Sequence, residues 1–309
     1  MTPRKFEPQP LDSALMEKLN QRTQTATVAV ERRKATEAKQ LFLPGFDIGA
    51  LPNHINRSSL IAPIARGRRK FHRQTVMVTR KDCVIEYTGE QLDEADGDII
   101  MALIYYARRA PIGNFVVLNR GELLSLLCRG RSKQHYEWLH RRMKAMTEAT
   151  MFIEAKNKDE TTKYKIGRTE SLHIVDKFLY DDKTQQYAFR LDPRWVQMFG
   201  NREYGLADWT KRMQISRGQD MAKTLQRLVT TSSDPTQRYE LEWLKKKMQY
   251  ESPMRKFKES LAAAIRELER VEIIGRGRIQ LSTRDEEQLV LWMPSRRKIT
   301  EDAPPQIGG

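Results

Sequence analysis

An α+β fold of two similar modules in tandem is what this 309-residue sequence predicts. Three observations lead there. The order of helix and strand signals occurs twice, each repeat contains one long basic amphipathic helix, and the apolar residues of those two helices keep a common offset. The length suits about two domains, each large enough to bury a core without disulfides. Hydrophobic residues at 39% and charged residues at 31% describe a foldable, charge-rich chain. No apolar run approaches the roughly 18 residues of a membrane span. The start, Met1 to Pro8, lacks the apolar core of a secretory signal. Cys83 and Cys128 form no CxxC pair, which argues against a disulfide framework or zinc ribbon and for a reducing cytoplasm.

Residues 1–75 read as a partly disordered extension. Ser13–Gln40 is polar and helix-compatible, Leu41–Pro63 with its prolines and glycines reads as an extended linker, and Arg66–Arg73 is a basic, solvated tether. A compact fold is expected from Val76, with strand-like pieces at Thr75–Thr79 and Val84–Tyr87. A first domain over 76–200 then contains a helix at Asp98–Arg109, with the acidic residues Asp93–Asp98 suited to its N-terminal end. Pro111-Ile-Gly breaks it, Phe115–Leu118 is a short strand, and Gly121–Cys128 is a short helix. A turn at Arg129–Ser132 leads into a long helix, Ser132–Ala149, followed by wing strands at Met151–Ala155 and Lys163–Gly167. A second domain over 201–295 repeats the order: helix Gln219–Thr231, strand Gln237–Tyr239, helix Leu241–Tyr250, a turn, and long helix Met254–Val271. Its wing strands are Ile273–Leu281 and Gln288–Trp292, and residues 296–309 form a disordered tail. Helix, strand, helix, turn, long helix, hairpin is the order of a winged helix-turn-helix.

An offset of 122 pairs Lys133 with Arg255, Glu137 with Glu259, Leu139 with Leu261, Met143 with Ile265 and Met146 with Leu268. Single matches of this kind are common by chance. A run that keeps both the apolar stripe and the polar face in register indicates a structural duplication, although the offset fails around the short helices.

Net charge is +15 with a pI near 9.8, which favours a polyanionic partner. The charge is clustered: residues 129–144 hold six Lys and Arg against one acid, and 245–258 again six against one. In the first long helix Tyr136, Leu139, Met143 and Met146 share one face, with Lys133, Gln134, Glu137, Arg141 and Lys144 opposite. In the second, Met254, Phe257, Leu261, Ile265 and Leu268 form the stripe, and Arg255, Lys256, Glu259, Arg266 and Arg270 face away. One such helix alone is most often an ordinary solvated surface. Two of them, each after a short helix and turn and before a hairpin, point to DNA-reading helices. Arg and Lys suit guanine, Gln suits adenine, and Glu accepts from cytosine. Arg131 on the first turn and Arg276 and Arg278 on the second wing extend the surface. Lys156, Lys158, Lys163 and Lys165 on the first wing are candidate phosphate contacts.

Catalytic motifs are absent from the sequence. There is no GxxxxGK[ST], and the five histidines give neither HxH nor HExxH, so no nucleotide, metal or other cofactor is expected. Tyr105 and Tyr106 read as core residues, and Asp181-Asp182 as a hairpin turn.

Several stretches together resemble the TrfA family of plasmid replication initiators: Ile85–Leu92, Asp93–Asp98, Tyr105–Gly113, Gly121–Leu127 and Leu268–Ile274. The likeness spans roughly Gln40 to Trp292. It implies tandem winged-helix domains that bind direct repeats (iterons) in double-stranded origin DNA. It further implies opening of an adjacent AT-rich segment into single-stranded DNA, and recruitment of a host helicase, initiator and sliding clamp. A monomer–dimer equilibrium that limits initiation, and with it plasmid copy number, is implied as well; the missing catalytic motifs add the expectation that the protein is not an enzyme. The family's clamp-binding peptide matches Gln40, Leu41, Leu43 and Phe46 in type, with Pro44-Gly45 intruding. A winged-helix repressor reading a promoter is the alternative, because both functions need the same helices.

Overall fold

The computed structural model describes residues 42–64, 69–157, 159–167 and 170–294, all within one unit, Phe42–Gly309. The expected helix at Ser13–Gln40, the tail 296–309 and Lys158 lie outside the described residues. Helices and strands are mixed throughout. Buried apolar side chains fall into two clusters, one from Leu43 to Phe199 and one from Ile215 to Leu291.

The first core begins earlier than composition suggested. Residues expected as a linker form strand β1 (Ala50–Pro52) and helix α1 (Asn53–Arg57), and Leu43, Phe46, Leu51 and Ile55 are buried. The prolines and glycines here punctuate short elements. Gly49 has φ +107°, and a Cβ on it would sit 2.2 Å from the Ala207 carbonyl oxygen, so only glycine lets the chain entering β1 pass this close to Ala207. Of the basic segment Arg66–Arg73, residues 66–68 lie outside the described residues and Lys70, Phe71 and Arg73 are exposed, while Arg69 is ion-paired with Asp93 and Asp96; Phe71–Val76 form β2.

β3 (Cys83–Glu90) alternates buried and exposed residues and pairs with β2 and with β5 (Thr150–Lys156). Helix α2 (Glu94–Ala107) opens with a capping box: Asp93 accepts from the Asp96 amide and Asp96 from the Asp93 amide, both at 3.0 Å. β4 (Val116–Asn119), α3 (Arg120–Leu126) and the long α4 (Lys133–Glu148) follow in the expected order. The hairpin after α4 exists, but it is not the expected wing. β5 and β6 (Thr162–Ile166) belong to the sheet ordered β2-β3-β5-β6, with β7 (Leu172–His173) also on β5. The hairpin that joins β4 is the next one, β8 (Lys177–Asp181) and β9 (Gln186–Arg190), in a sheet ordered β4-β9-β8. Its tip follows Asp181, as expected for Asp181-Asp182.

After helix α5 (Trp195–Met198), β10 (Tyr204–Leu206) pairs with β1, and α6 (Trp209–Gln214) leads into the second cluster. That cluster runs α7 (Asp220–Val229), β11 (Thr236–Glu240), α8 (Leu241–Lys247), α9 (Met254–Arg270), β12 (Arg276–Leu281) and β13 (Glu287–Trp292). Its sheet is ordered β11-β13-β12. The pairing matches β4-β9-β8 strand for strand, so the two halves share topology once β5–β7 is treated as an insertion.

Candidate nucleic-acid interface

Both long helices divide as their sequences require. Leu139, Met143 and Met146 of α4 are buried in the first core, while Lys133, Gln134, Glu137, Arg141 and Lys144 are exposed on the opposite face. Phe257, Leu261, Ile265 and Leu268 of α9 are buried in the second, with Arg255, Lys256, Glu259 and Arg266 exposed. Ser132 caps α4, its hydroxyl accepting from the His135 amide. On each face one glutamate sits among the bases: Lys133 is 3.9 Å from Glu137, and Arg255 and Lys256 lie 3.6 and 3.1 Å from Glu259. Such exposed pairs are worth at most about 1 kcal/mol, so these bases can exchange their carboxylate for a phosphate or base edge.

Four of the expected residues, Lys133, Glu137, Arg141 and Lys144, line one open groove of about 880 Å³ between α4 and the β8–β9 hairpin. The groove also holds Arg120, Tyr136, His140 and Tyr180, none of them expected as a DNA contact from sequence, where Tyr136 falls on the core face of the helix. The Arg120 guanidinium lies over the rings of Tyr136 (4.2 Å) and Tyr180 (5.0 Å). His140 packs against Phe178 and Tyr180, and burial together with Lys144 and Arg120 lowers its pKa. Arg131 donates to the Ser125 hydroxyl at 2.9 and 3.1 Å, which holds it beside the start of α4. Arg276 and Arg278 are exposed on β12, with Arg278 over Trp292.

The other expected contacts are placed differently. Lys163 is ion-paired with Glu203, and Lys165 with Glu154 at 2.6 Å. With Lys156 they lie on the inserted sheet rather than on the hairpin beside α4. Gln40 and Leu41 of the peptide lie outside the described residues. Leu43 and Phe46 belong to the first core, where Phe46 stacks on Phe199 with centroids 5.2 Å apart. Docking on another protein through those two anchors requires their release from the fold. Tyr105 and Tyr106 are half-buried rather than core, and Arg108 lies 4.4 Å over the Tyr105 ring.

Several cations counted toward the basic surface are buried. Arg142 of α4 is bound to Asp96 at 2.6 and 3.0 Å and to Glu90. Burial alone would lower its pKa, but the two carboxylates outweigh this and raise it. Glu94 accepts from Arg212 of α6 at 2.8 Å and from Arg227 of α7 at 2.5 Å. Burial pushes the Glu94 carboxyl up, while Arg227, Arg212 and the Thr224 hydroxyl pull it down further, so it stays ionised. Asp98 binds Arg212 at 2.5 Å and Lys223 at 2.6 Å. Arg142 lies beside the apolar stripe of α4, and Arg227 between Leu225 and Leu228, which is the signal in the sequence that these bases turn inward. Among the described residues no group of three or more His, Cys, Asp or Glu is placed to hold a metal, and no helix is long and apolar enough to cross a membrane.

The TrfA protein family model matches residues 12–280 of the chain. Comparison with curated proteins finds no matching sequence. Among solved structures, the chain is similar to a crystal structure of RctB domains 2–3, at 12% identity and a TM-score of 0.49, covering 78% of this chain and 97% of that one. Selenomethionine derivatives of RctB domains 2 and 3 match at 10% identity and a TM-score of 0.47, covering 75% and 94%.

Proposed function

We propose that this chain, which belongs to the TrfA protein family, is a plasmid replication initiator that grips duplex origin DNA through two winged-helix modules. The observation that carries the reading is the pair of long helices. α4 and α9 occupy the same place in the same topology, and each presents a glutamate and several long bases on the face turned away from its core. A recognition helix needs that division, with one side anchored and the other offering donors to base edges and phosphates.

In this reading Lys133, Gln134 and Glu137 read bases from α4, and Arg255, Lys256 and Glu259 from α9. Arg141, Lys144 and Arg266 hold the flanking phosphates, with Arg131 at the entry to α4. The hairpins add Arg276 and Arg278 on one side. On the other, the role assigned to the lysines of β5–β6 passes to Lys177 and Lys183 of the β8–β9 hairpin, which are exposed next to α4. The domains are the two core clusters, the first extended back to Leu43. Binding to iterons, opening of AT-rich DNA and recruitment of host replication proteins follow as the family's expected steps. The chain does this by binding, without catalysis.

The test is a plasmid carrying the cognate origin in a host that supplies no other initiator. Replication that depends on this gene is expected, and is lost when Arg255 and Lys256 are both changed to Ala. Failure to replicate with the protein present, while it still silences its own promoter, would favour the repressor reading instead.

A further inference from the structure

The acidic turn that opens α2 faces two ways. On one side Asp96 is bound by Arg142, which projects from α4. On the other, Glu94 accepts from Arg227 at 2.5 and 3.1 Å, from Arg212 at 2.8 Å and from the Thr224 hydroxyl at 2.6 Å. Asp98 extends that side through Arg212 and Lys223. Arg227, Thr224 and Lys223 belong to α7, and α7 packs directly on α9. Two sets of bonded side chains on one turn of α2 therefore connect the basic helices: Asp96 binds Arg142 of α4, and Glu94 binds Arg227 of α7, which packs on α9. Glu94, Asp96 and Arg212 have no solvent exposure at all.

Buried ion pairs are poor devices for stability, because desolvation offsets most of the attraction and an apolar contact of equal volume does as well. Their geometry is another matter. Glu94 and Asp98 take their cations from the second half, so a slip between the two halves strands a buried charge. Specification of a single arrangement is the best attested use of such groups. We propose that Glu94 and Asp98 are positioning residues that hold α4 and α9 at one separation and one helical phase, so that the protein accepts two half-sites at a single spacing only. This rests on the reading of α4 and α9 as DNA-reading helices.

The experiment uses the full chain and a duplex enriched by it from a random-sequence pool, then lengthened between the two protected patches by about a half or a whole helical turn. Wild type is expected to lose about 30-fold or more in affinity at either insertion, the loss of one half-site's contacts. The whole-turn insertion matters because a rigid lock fixes distance as well as phase. Glu94→Gln and Asp98→Asn are expected to bind the original duplex more weakly and to discriminate among spacings by less than about threefold, since the freed modules adjust independently. If no duplex is enriched, the DNA-reading assignment itself fails. If wild type binds all spacings alike, the lock is overturned whether or not the variants fold. A folded variant, judged by its near-ultraviolet circular dichroism, that keeps the wild-type spacing profile overturns the assignment to these carboxylates. Should Glu94→Gln not fold, Asp98→Asn carries this arm, because its Lys223 partner lies at the partly exposed edge of the network.

Discussion

Lys247 is the last of three consecutive lysines in α8, and its side chain is fully buried. Its ammonium donates to the Ser58 carbonyl oxygen at 3.0 Å, and among the described residues no carboxylate forms an ion pair with it. Burial, and then repulsion from Arg227, lower its pKa from the ordinary 10.5 to about 7, with Glu94 only partly opposing them. The sign of the consequence follows from proton counting. Between about 7 and 10.5 the unfolded chain holds a proton here that the folded chain has released, so stability rises with pH through that window. The full difference corresponds to about 5 kcal/mol, of which about 3 kcal/mol falls between pH 6 and pH 9. Below pH 7 both states hold the proton and the penalty is fully present. Lys247→Met removes the buried charge and leaves the Ser58 oxygen without this donor, a cost of about 1 kcal/mol. The variant should therefore be more stable than wild type at pH 6, and the advantage should shrink by about 3 kcal/mol by pH 9. Urea unfolding of both proteins at several pH values measures this directly. Parallel stability profiles, with a constant difference from pH 6 to pH 9, would refute the buried-ammonium account.

Three further outcomes are expected. Arg142→Ala should lower unfolding stability by about 3–5 kcal/mol, because it leaves Asp96 buried with one cation fewer; a loss below about 1 kcal/mol in a denaturant melt would place Arg142 outside the network. Arg255→Ala with Lys256→Ala should weaken specific duplex binding at least tenfold, each base contact being worth about 1–3 kcal/mol, with no change in melting temperature; unchanged affinity in a gel-shift titration at fixed salt would remove α9 from the interface. Affinity should fall linearly with the logarithm of salt concentration through counterion release, and the slope should become shallower in Arg141→Ala with Lys144→Ala. A flat dependence in wild type would contradict phosphate neutralisation by these helices.

What was legible in the sequence was what is local. The stripes of α4 and α9 declare both the helix and its buried side within a few turns, so the exposed faces followed without tertiary information. The first wing was missed because two consecutive hairpins, 150–166 and 177–190, carry the same local signal. Only long-range pairing, of β5 with β3 and of β9 with β4, decides which one stands beside α4. The segment from Leu43 to Ala62 was misjudged because β1 and α1 are too short to show a period. Charge counting failed in a different way. Composition gives the number of bases and not their direction, so Arg142 and Lys247 were added to a surface they do not reach. Asp93–Asp98 was read as charge suited to a helix start, which holds for the capping box, while Glu94 and Asp98 serve contacts with α6 and α7 that lie far along the chain.

The central claim is that α4 and α9 each read DNA. Methylation-interference footprinting of the enriched duplex, with wild type and with the two helix variants in parallel, tests it most directly. Wild type should show two major-groove patches about one helical turn apart. Arg255→Ala with Lys256→Ala should erase one patch, and Lys133→Ala with Gln134→Ala the other. A single patch in wild type, or two patches that neither variant alters, would contradict it.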